Sequence, residues 1–120
     1  MIVEPIPNTE LYILCENAVW TYRGIKYTVP KGFKSDGASI PRIFWSLSTT
    51  PYHPTVIRAA FFHDYFYQKQ PISRRLADQI FYVLLLEDGT SEQVAENMYY
   101  AARDFGGGTW KRYSRRLMEV

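Results

Sequence analysis

The sequence predicts an α+β fold: an N-terminal antiparallel β-hairpin or small sheet packed on a C-terminal bundle of three to four helices. Three observations predict it. Apolar and polar residues alternate on both sides of Arg23-Gly24, the period-two pattern of a hairpin. From Thr55 onward apolar residues recur at helical spacing through three successive stretches. Those stretches are separated by Lys69-Gln70-Pro71, Asp88-Gly89 and Gly106-Gly107-Gly108, which are breakers. At 120 residues the chain reads as a single domain, with a β-rich part at 1–30, a loop at 31–52 and a helical part at 54–120.

Each element has a local reason. Leu11 to Cys15 reads as a β-run, with Cys15 as a small apolar strand residue. Ala18 to Tyr22 and Ile25 to Val29 form the hairpin, with Gly24 supplying positive φ. Trp20 and Tyr22 then share a face and pair across to Tyr27 and Ile25. Pro30 ends the second strand because it cannot donate to a ladder. Lys31 to Arg42 is loop, punctuated by Gly32, Gly37 and Pro41, and Ser35-Asp36-Gly37 has turn chemistry. Arg42 to Trp45 reads as one helical turn that plugs the core.

The central helix runs from about Thr55 to Gln68, with Pro54 in its first turn. Its inward face is Val56, Ala59, Ala60, His63 and Tyr67. A second helix, Arg74 to Glu87, is capped by Ser73 and carries a stripe of Leu76, Ile80, Val83 and Leu84. Gly89 takes the left-handed position that closes it. Thr90-Ser91-Glu92-Gln93 is a capping-box pattern opening a third helix, whose core face is Val94, Met98 and Ala101 or Ala102. The tail from Trp110 to Val120 forms a last amphipathic helix, with Trp110, Tyr113, Leu117 and Met118 inward. Lys111, Arg112, Arg115 and Arg116 fall on its opposite face.

Bulk properties narrow the function classes. Aromatics make up 17% of the residues, which fits a small core of large side chains or broad contact surfaces. A net charge of +2 gives no strong nucleic-acid signal. A single cysteine excludes an internal disulfide and a cysteine-based zinc site. The N-terminus lacks the pattern of a signal peptide, and no apolar run reaches the length of a membrane span. The expectation is a chain made in the cytosol.

Chemistry concentrates in Ala59-Ala60-Phe61-Phe62-His63-Asp64-Tyr65-Phe66-Tyr67. The stretch is apolar enough to be buried, yet it carries His63 and Asp64, and burying ionisable groups is costly unless they are compensated. On a helix His63 and Tyr67 share a face while Asp64 points about 100° away. Two readings follow. In the structural one, His63 donates to Asp78 on the next helix and Arg74 or Arg103 neutralises Asp64, forming a network that fixes packing. In the catalytic one, His63 is a general base oriented by Asp78 and supported by Tyr67. Asp64 and Asp36 are then metal ligands, and Ser39, Arg74, Tyr99 and Arg103 bind substrate. Carboxylates and carbonyls favour calcium. Zinc is disfavoured because His53 and His63, the only histidines, lie ten residues apart and do not share a helix face. A Ser39–His63–Asp78 triad lacks the usual nucleophile elbow.

The motifs Ser35-Asp36-Gly37-Ala38-Ser39-Ile40-Pro41, Ala59 to Tyr67, Arg74-Arg75-Leu76-Ala77-Asp78 and Met98 to Gly106 resemble a family of small uncharacterised proteins. These come from tailed bacteriophages and prophages and are grouped as a domain of unknown function. The resemblance implies a phage origin and no particular activity. His63-Asp64-x-x-Tyr67 followed by Ala77-Asp78 is similar to the helix pair of secretory and parvoviral phospholipases of the A-two class. That resemblance implies His63 as the base activating water, Asp64 as a calcium ligand and Asp78 as the group orienting His63. The chain departs from that class in lacking its Gly-rich calcium loop, unless Asp36-Gly37-Ala38-Ser39 replaces it, and in lacking paired cysteines.

Two functional expectations follow. One is a hydrolase acting on a cell-envelope component during infection or release. The other is a non-enzymatic virion, tail or assembly protein, incorporated in the particle with other virion proteins as partners, in which the His-Asp cluster is a packing network.

Overall fold

The structure is a computed structural model, and it describes residues 1–35 and 53–119. The expected turn at Ser35-Asp36-Gly37, the residues Asp36 and Ser39, and the expected helical turn at Arg42–Trp45 lie wholly or partly outside the described residues. The architecture is α+β, with antiparallel strands in small sheets followed by four helices. The chain forms two compact units, Met1–Asp36 and Gly37–Val120.

The first unit holds all five described strands. β1 (Val3–Pro5), β2 (Tyr12–Leu14) and β5 (Lys34–Ser35) make a three-stranded antiparallel sheet in the order β1-β2-β5. The sequence reading found only the middle strand. β1 and β5 are two or three residues long, too short for a periodic signal, and β5 starts inside a stretch that reads as loop. Cys15 lies just beyond β2 and is half-buried rather than a core strand residue. β3 (Ala18–Tyr22) and β4 (Ile25–Val29) form the expected hairpin, with Trp20 opposite Tyr27 and Tyr22 opposite Ile25. Both turn residues have positive φ, 51° at Arg23 and 79° at Gly24, the requirement of the two-residue turn whose twist matches the strands.

The second unit holds α1 (Ile57–Lys69), α2 (Arg74–Glu87), α3 (Glu92–Phe105) and α4 (Gly107–Met118). α1 packs on α2 and α4, and α2 packs on α3, which also meets α4. α1 begins two residues later than expected. Pro54 lies in a preceding turn in which the His53 carbonyl accepts from the Val56 and Ile57 amides. It ends at Gln70, which is left-handed at φ 53°, immediately before Pro71. Ser73 caps α2 by accepting from the Leu76 amide.

α2 closes with the paired bonds of a Schellman motif: Thr90 N–H to the Leu85 carbonyl and Gly89 N–H to that of Leu86, with Gly89 at φ 97°. Thr90 is therefore committed to α2, and its buried hydroxyl donates to the Thr55 carbonyl at 2.7 Å. The expected capping box at Thr90 does not form. Ser91 caps α3 instead, accepting from the Val94 amide. Arg58 adds a bidentate bond to Asp88, at 2.9 and 2.8 Å, and a bond to Glu87, tying the start of α1 to the end of α2.

The core differs from the expected stripes in phase. α1 is buried almost all round, through Ala59–Asp64, Phe66 and Tyr67. α2 buries Ala77, Asp78, Ile80, Phe81, Leu84 and Leu85, while Leu76 and Val83 are only half-buried. α3 buries Ala95 rather than Val94. Of the three glycines expected to separate α3 from the tail, only Gly106 does so, because Gly107 and Gly108 open α4. Leu117 and Met118 were expected inward and are exposed.

Replacing Ser73 with Ala removes the acceptor for the Leu76 amide and should cost about 1 kcal/mol. Thermal unfolding of the variant would show it, with no change in the helical circular dichroism of the folded state.

Candidate active site

Asp78 is the centre of the site. It projects from the second turn of α2 and is 0% exposed. Its Oδ1 accepts from His63 Nε2 at 2.7 Å and from the Tyr67 hydroxyl at 2.8 Å. Its Oδ2 accepts from an Arg103 guanidinium nitrogen at 2.7 Å and from Arg74 at 3.5 Å. Four donors match the roughly four lone-pair positions of a carboxylate. His63 and Tyr67 meet the same oxygen because they stand four residues apart on α1, with ring centroids 4.3 Å apart. Phe81, three residues beyond Asp78 on α2, covers His63 with its ring centroid 4.5 Å away.

Burial alone would raise the Asp78 carboxyl above its ordinary value. The bonds and charge from His63, Tyr67 and Arg103 outweigh burial and hold it below that value. The carboxylate is thus ionised, and an ionised carboxylate only accepts. His63 Nε2 must therefore carry the proton, which in the neutral ring puts the basic lone pair on Nδ1. The Tyr67 hydroxyl is pushed well above its ordinary value, by burial first and then by the Asp78 charge.

The two arginines differ from the sequence reading, which paired them with Asp64. Both go to Asp78. Arg74 also donates to the carbonyls of Ala102 at 3.1 Å and Arg103 at 3.4 Å near the end of α3, where the Ala102 carbonyl accepts from the Gly106 amide as well. Asp64 is buried beside His63. Among the described residues no three His, Cys, Asp or Glu side chains come together in a metal-binding arrangement, and Asp36 lies outside those residues. Tyr99 packs against Tyr82 and Tyr100 rather than at Asp78.

Two contributors escaped the sequence reading. Trp110 stands edge-on to Tyr67, with centroids 5.1 Å apart. Gly106 is buried against the same side chain, and a Cβ there would lie 2.5 Å from the Tyr67 hydroxyl oxygen. Glycine at 106 is needed for space, not for an unusual φ, and a three-glycine run gave no sign of which one mattered.

Asp78→Ala should destabilise the fold by about 3 kcal/mol or more, because it strands buried His63 and leaves Arg103 without its charge partner. Gly106→Ala should also destabilise, by displacing the Tyr67 hydroxyl from Asp78. The Asp78 contribution is fully present above about pH 4, the ordinary carboxylate value, and is lost as pH falls through the lower native value. The Tyr67 contribution has the opposite sign, declining as pH climbs above about 10. Denaturant midpoints measured across pH on wild type and Tyr67→Phe would test this: the alkaline loss should be smaller in the variant.

The fold and the site can be set against known proteins. No solved structure matches the chain. Two curated relatives, both from Sinorhizobium fredii, are similar to it. Uncharacterized protein y4jT is 34% identical over 83 residues, covering 69% of this chain and 25% of the relative. Uncharacterized protein y4iH is 30% identical over 83 residues, covering 69% of this chain and 35% of the relative. The chain thus spans between a quarter and about a third of the length of these relatives. The model of the family described as "Protein of unknown function (DUF1353)" matches residues 13–102, a span that holds His63, Tyr67, Arg74 and Asp78 and ends just before Arg103. The chain belongs to the DUF1353 family.

Proposed function

We propose that the protein is a phage-encoded ester hydrolase acting on a lipid of the cell envelope during infection or release. The observation that carries this reading is the single Asp78 oxygen shared by His63 Nε2 and the Tyr67 hydroxyl. It supports the similarity to phospholipases of the A-two class, in which a histidine–aspartate pair on neighbouring helices activates water.

In this reading water adds to the ester carbonyl carbon while its proton passes to His63 Nδ1. The C–O bond then breaks, and the imidazolium returns the proton to the departing alkoxide, releasing a carboxylic acid and an alcohol. Asp78 orients the ring and stabilises the imidazolium, and Tyr67 and Arg103 position Asp78. The hard oxygens of Asp64 suit calcium better than zinc. Asp64 would be a ligand of the ion, which would supply charge stabilisation for the oxyanion. Ser39, Arg74, Tyr99 and Arg103 are the proposed substrate contacts.

A second reading is favoured by the complete burial of His63, Tyr67 and Asp78. There the cluster is a packing network in a non-enzymatic virion, tail or assembly protein, with other virion proteins as partners.

The deciding assay is release of fatty acid from phospholipid vesicles with calcium, with purified peptidoglycan as the second envelope substrate. Wild type should release product, and His63→Gln and Asp78→Asn should lower the rate by about 10²-fold or more while remaining folded. No release from either substrate, together with no calcium binding, would sink the hydrolase. A loss of virion assembly in His63→Gln would then favour the packing reading.

A further inference from the structure

The outer face of α4 plays no part in the core or in the His63–Asp78 pair. No residue of this helix is fully buried. Its inner side is held to α1 by Trp110 against Tyr67, by the Gln70 side-chain amide donating to the Trp110 carbonyl at 2.9 Å, and by the Ser114 hydroxyl donating to Gln70 Oε1 at 2.9 Å. On the other side Lys111, Arg112, Arg115 and Arg116 are all exposed, and Gly107 to Met118 contains no acidic residue.

The four cations are not arranged alike. Arg112 and Arg116 lie over the Tyr113 ring, at 5.8 and 5.4 Å from its centroid, which keeps their guanidinium groups on an amphipathic support. Lys111 and Arg115 continue at helical spacing into Met118, which is 84% exposed. Leu117 beside it is 42% exposed. Adjacent exposed cations and apolar side chains match the boundary between anionic headgroups and acyl chains.

We propose that α4 is a docking surface for an anionic phospholipid bilayer, with Lys111, Arg112, Arg115 and Arg116 on the headgroups and Met118 reaching below them. This deepens the hydrolase reading and rests on it for substrate class, since it brings a lipid surface to the helix that covers Tyr67.

The test is flotation of the 120-residue chain with vesicles of phosphatidylcholine alone or containing phosphatidylglycerol. Binding should require phosphatidylglycerol and weaken with salt. Reversing all four charges (K111E, R112E, R115E, R116E) should reduce it about a hundredfold or more, and Met118→Ser should weaken it severalfold with no change in charge. All substituted positions are exposed, and an unchanged melting temperature confirms that the variants fold. The proposal is overturned by no binding to phosphatidylglycerol vesicles or by binding that survives charge reversal. It is equally overturned if Met118→Ser has no effect while an oligonucleotide binds as tightly as the vesicles. Running the same assay on His63→Gln separates the two ideas: vesicle binding without any hydrolysis by wild type removes the enzyme and leaves the docking surface standing.

Discussion

One carboxylate, buried without access to water, has to be satisfied entirely by protein donors, and much of the helical unit is arranged around that requirement. Asp78 draws its partners from three helices: His63 and Tyr67 from α1, Arg74 from its own helix and Arg103 from α3. An unpaired buried carboxylate would simply protonate. Meeting the requirement with His63 and Tyr67 on one oxygen and two guanidinium groups on the other keeps it ionised. It also locks the relative positions of α1, α2 and α3, because a shift of any one breaks a short bond.

Small residues make the arrangement possible. Ala59, Ala60, Ala77, Ala101 and Ala102 are buried, and their lack of bulk lets helices approach closely enough for short side-chain bonds across them. Gly106 serves the same purpose at the joint between α3 and α4, where the Tyr67 hydroxyl needs the volume that a Cβ would take. Trp110 then closes Tyr67 from the α4 side. A packing network and a catalytic pair draw on the same geometry here. A fixed, oriented imidazole is what both require, and only its access to water and ester separates them.

α4 stands apart energetically. It buries no residue completely, and its inner side meets α1 through Trp110 against Tyr67 and through polar bonds of Gln70 to Trp110 and Ser114. Its attachment is weaker than that of α1 or α2, whose apolar side chains fill the core. The charge it carries outward is consequently the feature of the helical unit least constrained by folding.

Much was legible in the sequence because it rests on local physics. The hairpin about Arg23-Gly24, the cap at Ser73, the stop at Gly89 and the α+β class all follow from period, propensity and turn chemistry within a few residues. His63, Tyr67 and Asp78 were legible as polar residues in apolar helical stretches, and the pairing of His63 with Asp78 is common to both readings, whereas the bond from Tyr67 to Asp78 was not foreseen. Tertiary structure alone decided the rest. It gave the arginines to Asp78 instead of Asp64, packed Tyr99 against Tyr82 and Tyr100, assigned Thr90 to the end of α2, and shifted the core stripe of α2 toward Ala77 and Phe81. Each of these depends on which helix faces which. A residue's spacing along its own helix fixes the face it occupies, but not the neighbour that face will meet.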